Sequence, residues 1–274
     1  MIGSIQSTLR MKFRHDADRD RTVLHRRRAG GLAHISKPYW NGEVLTVQMV
    51  NPTAGIFTGD EMSSQIHVGA DARVALTAPS AMRFHTMRTG RATIAQDFRI
   101  EDRAWLEFLP EWVIPQRDSD VEQTTRIRLG QSSQLAFFDL LAPGRVAHGE
   151  CYAYRRYVTT LELHRENQLV VRERMVLSPN DGGWPLRVPG WENCYYGAAW
   201  FVGGEGGACM TVLEEVERAL QAEDLKCGVS ELGEGVVVVR MVASRSLTLR
   251  KALTAVRTAM AEVFPLLASN HRKI

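Results

Sequence analysis

Apolar and polar residues alternate through much of the first two thirds of the chain, which is the pattern of half-buried β-strands. In one segment, Ile94, Gln96 and Phe98 fall on one face, while Asp97 and Arg99 fall on the other. Such a strand has to bury its apolar face against another layer. The pattern therefore predicts a fold made mainly of strands.

Three stretches of this kind can be laid over one another, and each ends in a loop that contains proline. Each consists of a strand, a polar turn, a second strand and the loop, and the copies recur about every 30 residues, a period typical of stacked repeats. The copies are Gln65–Pro79, Asp97–Pro110 and Arg126–Pro143, with a weaker fourth candidate at Gly42–Val47 before Pro52. Because a single hairpin cannot bury its apolar face, we predict a helicoidal, stacked β-architecture. A β-sandwich would give similar strands at a similar spacing and is the alternative.

The pattern changes in the last third of the chain. Tyr195–Val202 predicts a strand, and the capping box Thr211–Glu214 predicts a helix that begins there. The β-branched run Gly235–Val242 predicts a strand buried on both faces. Apolar residues at helical spacing predict a second helix over Leu247–Phe264, which Pro265 would end.

Composition limits the class of protein. We predict that residues 1–274 form one domain, with the repeats over about residues 30–180 and a strand–helix–strand–helix part over about residues 190–267. The 34 basic and 31 acidic residues give a net charge of +3, too balanced to favour nucleic-acid binding. No apolar stretch is long enough for a membrane span, and the first residues lack a secretory signal. The four scattered cysteines indicate reduced thiols, so we expect a cytoplasmic protein.

The segment Asn51–Glu61 combines glycines with acids. Gly55 and Gly59 stand four apart and are followed directly by Asp60 and Glu61. The lysine and hydroxyl residues of a phosphate-binding loop are missing, and the dinucleotide-binding pattern is not matched. A structural turn is the simpler interpretation, since glycine supplies positive φ angles. The functional interpretation is that this turn positions two carboxylates.

The histidines do not suggest a tight metal site. No two of the eight have the spacing that chelates a metal on one element. If the repeats stack, His67 and His85 flank the same pair of strands, and either could approach Asp60. A surface position or a hydrogen-bonded core position remains the simpler interpretation for each histidine.

Enzymatic chemistry has little support in the sequence. No serine lies in a nucleophile elbow, and no cysteine has a motif-level partner. The acid pairs Glu107 with Glu111, or Asp139 with Glu150, would serve a hydrolase only if they converged in space. We therefore expect no enzymatic activity, with a β-solenoid hydrolase as the alternative.

Two charged features need a structural explanation. The run Arg26–Arg28, with Arg21 and His25 nearby, is the strongest local concentration of positive charge. A solvated or acid-paired face is the simpler interpretation, and a docking patch for an acidic partner is the alternative. Arg145 and Glu150 stand on either side of a predicted turn, so an ion pair across it is as reasonable as a functional role.

A series of short motifs runs through nearly the whole chain. They are Arg28–Leu32, Lys37–Tyr39, Gly55–Met62, Leu76–Phe84, Leu106–Pro110, Ile114–Pro115, Asp139–Leu141, Gly144–Arg145, Gly149–Glu150, Leu169–Glu173 and Val236–Arg240. In this order and spacing they resemble the UreD/UreH-type urease accessory proteins. Each motif is short, and it is their combination that carries the resemblance.

The resemblance implies a β-helicoid with two helices that acts as a scaffold. It implies binding to the urease apoprotein and to a UreF-type partner, through which a UreG-type GTPase is recruited. It also implies that nickel passes transiently along an internal polar tunnel, with no tightly bound cofactor, since strong histidine or thiolate ligation would retain the ion. The transit candidates are Asp60, Glu61, His85, Glu107 and Glu150, and the structural or interface candidates are Gly55, Gly59, Pro110, Gly144 and Arg145.

Two further functions remain open from the sequence. One is a diverged member of this family that serves another metalloenzyme, and the other is the hydrolase that uses acid pairs. A scaffold should be poorly soluble or oligomeric alone and improve with its partner, whereas an enzyme should turn over by itself.

Overall fold

The computed structural model describes residues 4–182, 188–203 and 206–270 of the chain. Its elements are mainly strands, with two α-helices near the C-terminus, as predicted. In chain order they are β1 (Gln6–Asp16), β2 (Arg21–Gly30), β3 (His34–Ile35), β4 (Tyr39–Asn41), β5 (Val44–Val50), β6 (Glu61–Val68), β7 (Arg73–Thr77), β8 (Met82–Phe84), β9 (Ala92–Ile100), β10 (Trp105–Leu109), β11 (Val113–Pro115), β12 (Asp120–Leu129), β13 (Gln134–Leu141), β14 (Arg156–Arg165), β15 (Gln168–Leu177), β16 (Tyr195–Val202), α1 (Gly206–Ala219), β17 (Leu225–Glu231), β18 (Val236–Ala243) and α2 (Ser246–Ala259).

Two sheets enclose the main core. The seven-stranded sheet has the order β15-β14-β12-β9-β6-β1-β2, and the second sheet follows the path β17-β18-β16-β13-β10-β7-β5-β3 with β4, β8 and β11 at its side. Inward side chains of both sheets form one apolar cluster. A second apolar cluster lies on the other face of the second sheet, where α1 and α2 cover it. Neither helix is long and apolar enough, among the residues described, to cross a membrane.

The predicted repeats are successive coils that contribute one strand to each sheet. The strands β6, β9, β12 and β14 run parallel, and so do β7, β10 and β13. Equivalent positions of successive coils lie side by side, so that Ser64 neighbours Gln96 and Gln96 neighbours Thr125. The weaker fourth copy is also real, because β5 pairs with β7 in parallel. The strand that this first coil contributes to the seven-stranded sheet is β1, which pairs with β6 in parallel. In the chain, the hairpin that β1 forms with β2 separates β1 from β5.

Antiparallel pairs close the parallel stack. In the seven-stranded sheet, β2 pairs with β1 at one end and β15 pairs with β14 at the other. In the second sheet, β16 and β18 add antiparallel to β13. The strand β18 lies between both cores as predicted: Val236 and Val238 face the interior, while Val237 and Val239 face the helices.

The helices differ in detail from their predictions. The capping-box prediction was wrong, because α1 begins at Gly206 and Thr211 lies inside it. The Thr211 hydroxyl donates to the carbonyl of Gly207, the back-bonding that hydroxyl side chains adopt within helices. The α-helical part of the last helix ends at Ala259 and continues as a 3-10 turn over Met260–Glu262.

Candidate functional site

The turn around Asp60 is built by backbone geometry and hydrogen bonds. Gly55 has a φ of 148°, and a Cβ there would lie 2.5 Å from the Arg83 carbonyl oxygen. The Asp60 side chain is buried, and its two carboxylate oxygens accept from the backbone N–H groups of Ile5 at 2.9 Å and Phe57 at 2.8 Å. Gly59, with a φ of 79°, precedes it. The carboxylate therefore ties the turn to the N-terminal strand and does not line either interior cavity described below.

We predict that Asp60→Ala lowers the free energy of unfolding by about 2 kcal/mol, because two backbone donors lose their acceptor. Asp60→Asn retains one acceptor oxygen and should lose about half as much. Glu61→Ala is the matched control, since Glu61 is exposed and should change stability by less than about 0.5 kcal/mol. Urea unfolding of the three variants measures these differences. Equal stability of the Asp60 and Glu61 variants would contradict the structural role.

His85 is also held within this turn. Its ring stacks on Phe57 with a centroid distance of 4.4 Å, and its Nε2 lies 3.0 Å from the carbonyl oxygen of Ala54. Glu61 lies exposed at the start of β6. The structure thus places Asp60, Glu61 and His85 near one another, but outside the lining of the cavities.

Glu107 and Glu111 connect the second sheet to the last helix. Glu107 is completely buried, and the Arg257 guanidinium donates to its two oxygens at 2.6 and 3.0 Å. Glu111 accepts from Arg250 at 2.7 and 3.1 Å. Each carboxylate is engaged by its own arginine, so this pair does not form the shared acid site that a hydrolase would need.

Glu150 forms the ion pair that the turn after β13 suggested. The Arg145 guanidinium donates to its two carboxylate oxygens at 2.8 and 2.5 Å. This contact, aided by the backbone N–H of Arg117, holds the pKa of the Glu150 carboxyl below its ordinary value. Gly144 permits the close approach, because a Cβ there would lie 2.7 Å from the Glu150 carbonyl oxygen. The motif at residues 144–150 is therefore a rigid, charge-paired turn.

A second set of polar residues, of which only Asp139 was a candidate from the sequence, crosses the interior between the sheets. We call it the polar row. Thr125 donates its hydroxyl to the Gln96 side-chain oxygen at 3.0 Å, and the Gln123 amide donates to the same oxygen at 3.4 Å. The strand register places Ser64 beside Gln96 on one side. On the other side the row continues through Thr159 on β14 to Glu173 on β15. The row comprises Ser64, Gln96, Gln123, Thr125, Thr159 and Glu173 on the seven-stranded sheet and Asp139 on β13 opposite.

Two adjoining cavities follow this row. The larger has a volume of about 100 Å³ and the smaller about 20 Å³, enough for several water molecules and for one. Gln123, Phe137 and Asp139 line both cavities, so these residues mark the junction. The exposed side chains of His34 and Ser80 stand at the rim of the larger cavity, and Pro110 is part of its wall.

Asp139 is the ionisable group at the junction. Its burial, opposed by a backbone hydrogen bond and reinforced by the negative charge of Glu173, raises the pKa of the Asp139 carboxyl to about 6. Glu173 is paired with Arg240, whose guanidinium also lies 5.2 Å from the ring centroid of Trp200. Asp139 thus changes charge close to neutral pH, while Glu173 is held by a fixed cation.

The row supplies oxygen atoms spaced along the two interior cavities. Carboxylate, amide and hydroxyl oxygens are ligands that divalent cations accept. Among the described residues, no three His, Cys, Asp or Glu side chains are grouped so as to hold a metal ion. A signal for the row was present in the sequence, because Gln96 falls on the same face as Ile94 and Phe98.

Comparison with known proteins agrees with the motif order. The family model described as UreD urease accessory protein matches residues 6–272. A urease accessory protein UreD of Opitutus terrae is 37% identical over 88% of this chain and 89% of its own length. The UreD of Halalkalibacterium halodurans is 30% identical over 79% of each chain, and the UreH of Helicobacter hepaticus is 29% identical over 53% of this chain and 58% of its own. The chain therefore belongs to the UreD urease accessory protein family.

Proposed function

We propose that this protein is a non-catalytic accessory factor in urease maturation and that nickel passes through it along the polar row. The observation that carries this proposal is the ionisable Asp139 at the junction of two interior cavities. Family membership supports the urease role, since the relatives are named urease accessory proteins. The nickel ion is cargo in this proposal and needs no resident cofactor.

The energetics of the row favour a functional origin. Burying a carboxylate and several amide and hydroxyl groups is costly compared with an apolar core. The neighbouring inward positions Phe98 and Leu135 are apolar and buried. A stack of coils with an apolar interior would be more stable, so the polar groups along one path support a role in conducting a cation.

The partners follow from the same family relationship. We propose that the protein binds the urease apoprotein and a UreF-type accessory protein, which recruits a UreG-type GTPase. Nickel released on the partner side would enter at one end of the row and leave towards the urease active site. The weak oxygen ligands of the row let the ion move on, whereas a thiolate or histidine cluster would retain it.

The direct test is urease activation in cells that lack their own UreD-type gene. The chain is supplied with its cognate UreF-type and UreG-type partners and the urease subunits, and nickel per active site is measured. Restored nickel content and activity would support the proposal. Empty urease in the presence of soluble, abundant protein would overturn it and favour a related protein that serves another metalloenzyme.

A further inference from the structure

The outer face of the seven-stranded sheet is strongly basic at its β1–β2 end. The strand register sets Arg10 directly opposite Arg28, and Lys12 directly opposite Arg26. Arg99 lies two strands further along the same row, beyond His67. All five cationic side chains are exposed, and they line one shallow groove. We call this group, Arg10, Lys12, Arg26, Arg28 and Arg99, the basic face.

The protein leaves these charges without neutralising partners. Like charges directly opposite on neighbouring strands destabilise a sheet. The nearest acids are already engaged, because Asp97 accepts from Arg128 at 2.7 Å and Glu101 binds His67. Within the described part of the chain, none of the five cations of the basic face forms an ion pair or a side-chain hydrogen bond. Asp97 lines the same groove but is paired with Arg128, so the face carries an excess of positive charge.

The other end of the same outer face is arranged differently. Glu162 lies between Arg126 at 3.1 Å and Arg172 at 3.6 Å, so cations and acids alternate there. The chain as a whole has a net charge of only +3, so the five cations of the basic face leave its remainder slightly acidic. Cations set directly opposite one another on neighbouring strands are thus a property of the β1–β2 end.

The adjoining strand edge indicates what kind of molecule could cover this face. The strand β2 pairs with β1 and ends the seven-stranded sheet, so it can accept a further strand. Along an extended segment, every second side chain lies on one face, and neighbouring strands are about 4.8 Å apart. Acidic side chains of a segment added to β2 would therefore lie beside Arg26 and Arg28.

Other polyanions fit less well. Proteins that bind single-stranded nucleic acids combine cations with aromatic stacking platforms, and proteins that lie on lipid surfaces insert apolar side chains. The apolar side chains that line the groove, Met11 and Ile66, are buried, so they are not available to insert into a lipid surface. The aromatic ring in its lining is that of His67, which is bound to Glu101. We propose that the basic face and the edge of β2 form a docking site for an acidic segment of a partner protein. This inference does not depend on nickel passage through the interior.

The test uses the full-length protein and a fluorescein-labelled deca-glutamate peptide. Fluorescence anisotropy should show binding that weakens as salt is added. The double variant Arg26→Glu/Arg28→Glu should bind about tenfold more weakly. The matched control Arg218→Glu/Lys251→Glu changes the net charge equally on the exposed surfaces of α1 and α2, and should lose less than about twofold. The melting temperature of the first variant should rise by about 2 °C, because the opposed like charges are removed.

Several outcomes would overturn the docking site. Equal losses in the two double variants would mean that only the total charge of the protein matters. Tighter binding of a deca-thymidylate oligonucleotide, or of phosphatidylglycerol vesicles, would assign the face to nucleic acid or to a lipid surface. Absence of peptide binding at low salt would leave the cations as protection against strand pairing at an exposed edge. If the glutamate variant does not fold, Arg26→Gln/Arg28→Gln replaces it, with loss of peptide binding still expected.

Discussion

The variant Asp139→Asn is expected to be more stable than the parent protein and much poorer at supplying nickel to urease. The asparagine keeps the shape of the side chain but removes the buried negative charge. Two unit charges 4 Å apart attract by about 4 kcal/mol at an effective dielectric constant of 20. Losing even about a third of that attraction would slow ion passage about tenfold. Nickel per urease active site, measured after a fixed activation time, should fall accordingly.

The gain in stability has a defined dependence on pH. The carboxyl pKa of Asp139 rises from an ordinary value of 3.8 to about 6 in the folded protein. Between these values the unfolded chain has released the proton while the folded protein still holds it, so stability falls as pH rises. Above pH 6 the cost stays constant at about 3 kcal/mol. The free energy of unfolding of Asp139→Asn should exceed that of the parent protein by up to about 3 kcal/mol at pH 7.5 and by almost nothing below pH 4.

The control for this prediction is Glu122→Gln. Glu122 is half-buried on the outer side of β12 and binds Arg91 at 2.7 Å, so its loss leaves the interior unchanged. Nickel delivery by this variant should match that of the parent. Normal delivery by Asp139→Asn in the presence of intact complexes would remove the main support for passage along the polar row.

Arg257→Ala should be the most destabilising of the substitutions considered. It leaves the Glu107 carboxylate completely buried without its bidentate partner. Breaking a buried ion pair in this way costs about 3–5 kcal/mol. Arg257 also donates to the carbonyl oxygen of Ser269, so the segment after α2 should loosen as well. Urea unfolding followed by circular dichroism measures the loss.

A double variant distinguishes the effect of lost side-chain packing from the effect of breaking the Glu107–Arg257 ion pair. Glu107→Gln/Arg257→Met replaces the pair with uncharged groups of similar length, and should recover most of the stability. The exposed pair Arg73–Glu43 provides the control, because Arg73→Ala should cost less than about 1 kcal/mol. A similar loss for Arg73→Ala and Arg257→Ala would show that burial of Glu107 contributes little.

The stacked fold was predictable because each repeat shows its strands and turns as a local sequence pattern. Alternation in β9 and β12, polar turns and recurring prolines all repeat with the coil, and each coil makes similar contacts to its neighbour. The parallel pairing of β1 with β6 was not predicted, because the two strands are more than fifty residues apart in the chain. The start of α1 was misplaced since Thr211 and Glu214 match a capping box equally well inside a helix.

The site was harder to predict than the fold. Asp60, Glu107 and Glu150 stand in conspicuous motifs, yet each is engaged by a structural partner. The partners of Asp60 and Glu107 include residues far along the chain, Ile5 and Arg257. The partner of Glu150 is the nearby Arg145, as the sequence suggested. Whether any of them meets nickel stays a prediction. Asp139 lies within the apolar run of β13, and its inward direction becomes informative only when the opposite sheet places Gln123 across the cavity. The conspicuous motifs of the sequence therefore lie in turns and ion pairs. The polar row instead consists of positions that are far apart in the chain.

The Glu107–Arg257 pair also bears on how the chain is made in the cell. Its members are 150 residues apart, and at 5–20 residues per second a ribosome needs about 8–30 s to synthesise that length. During this interval the outward aromatic residues Trp105 and Phe138 have emerged, while the helix that will cover them does not yet exist. A nascent chain thus exposes a wide apolar surface until α2 has been synthesised. Slow decoding of the codons of α2, or termination before them, would leave this surface to be bound by chaperones or to aggregate.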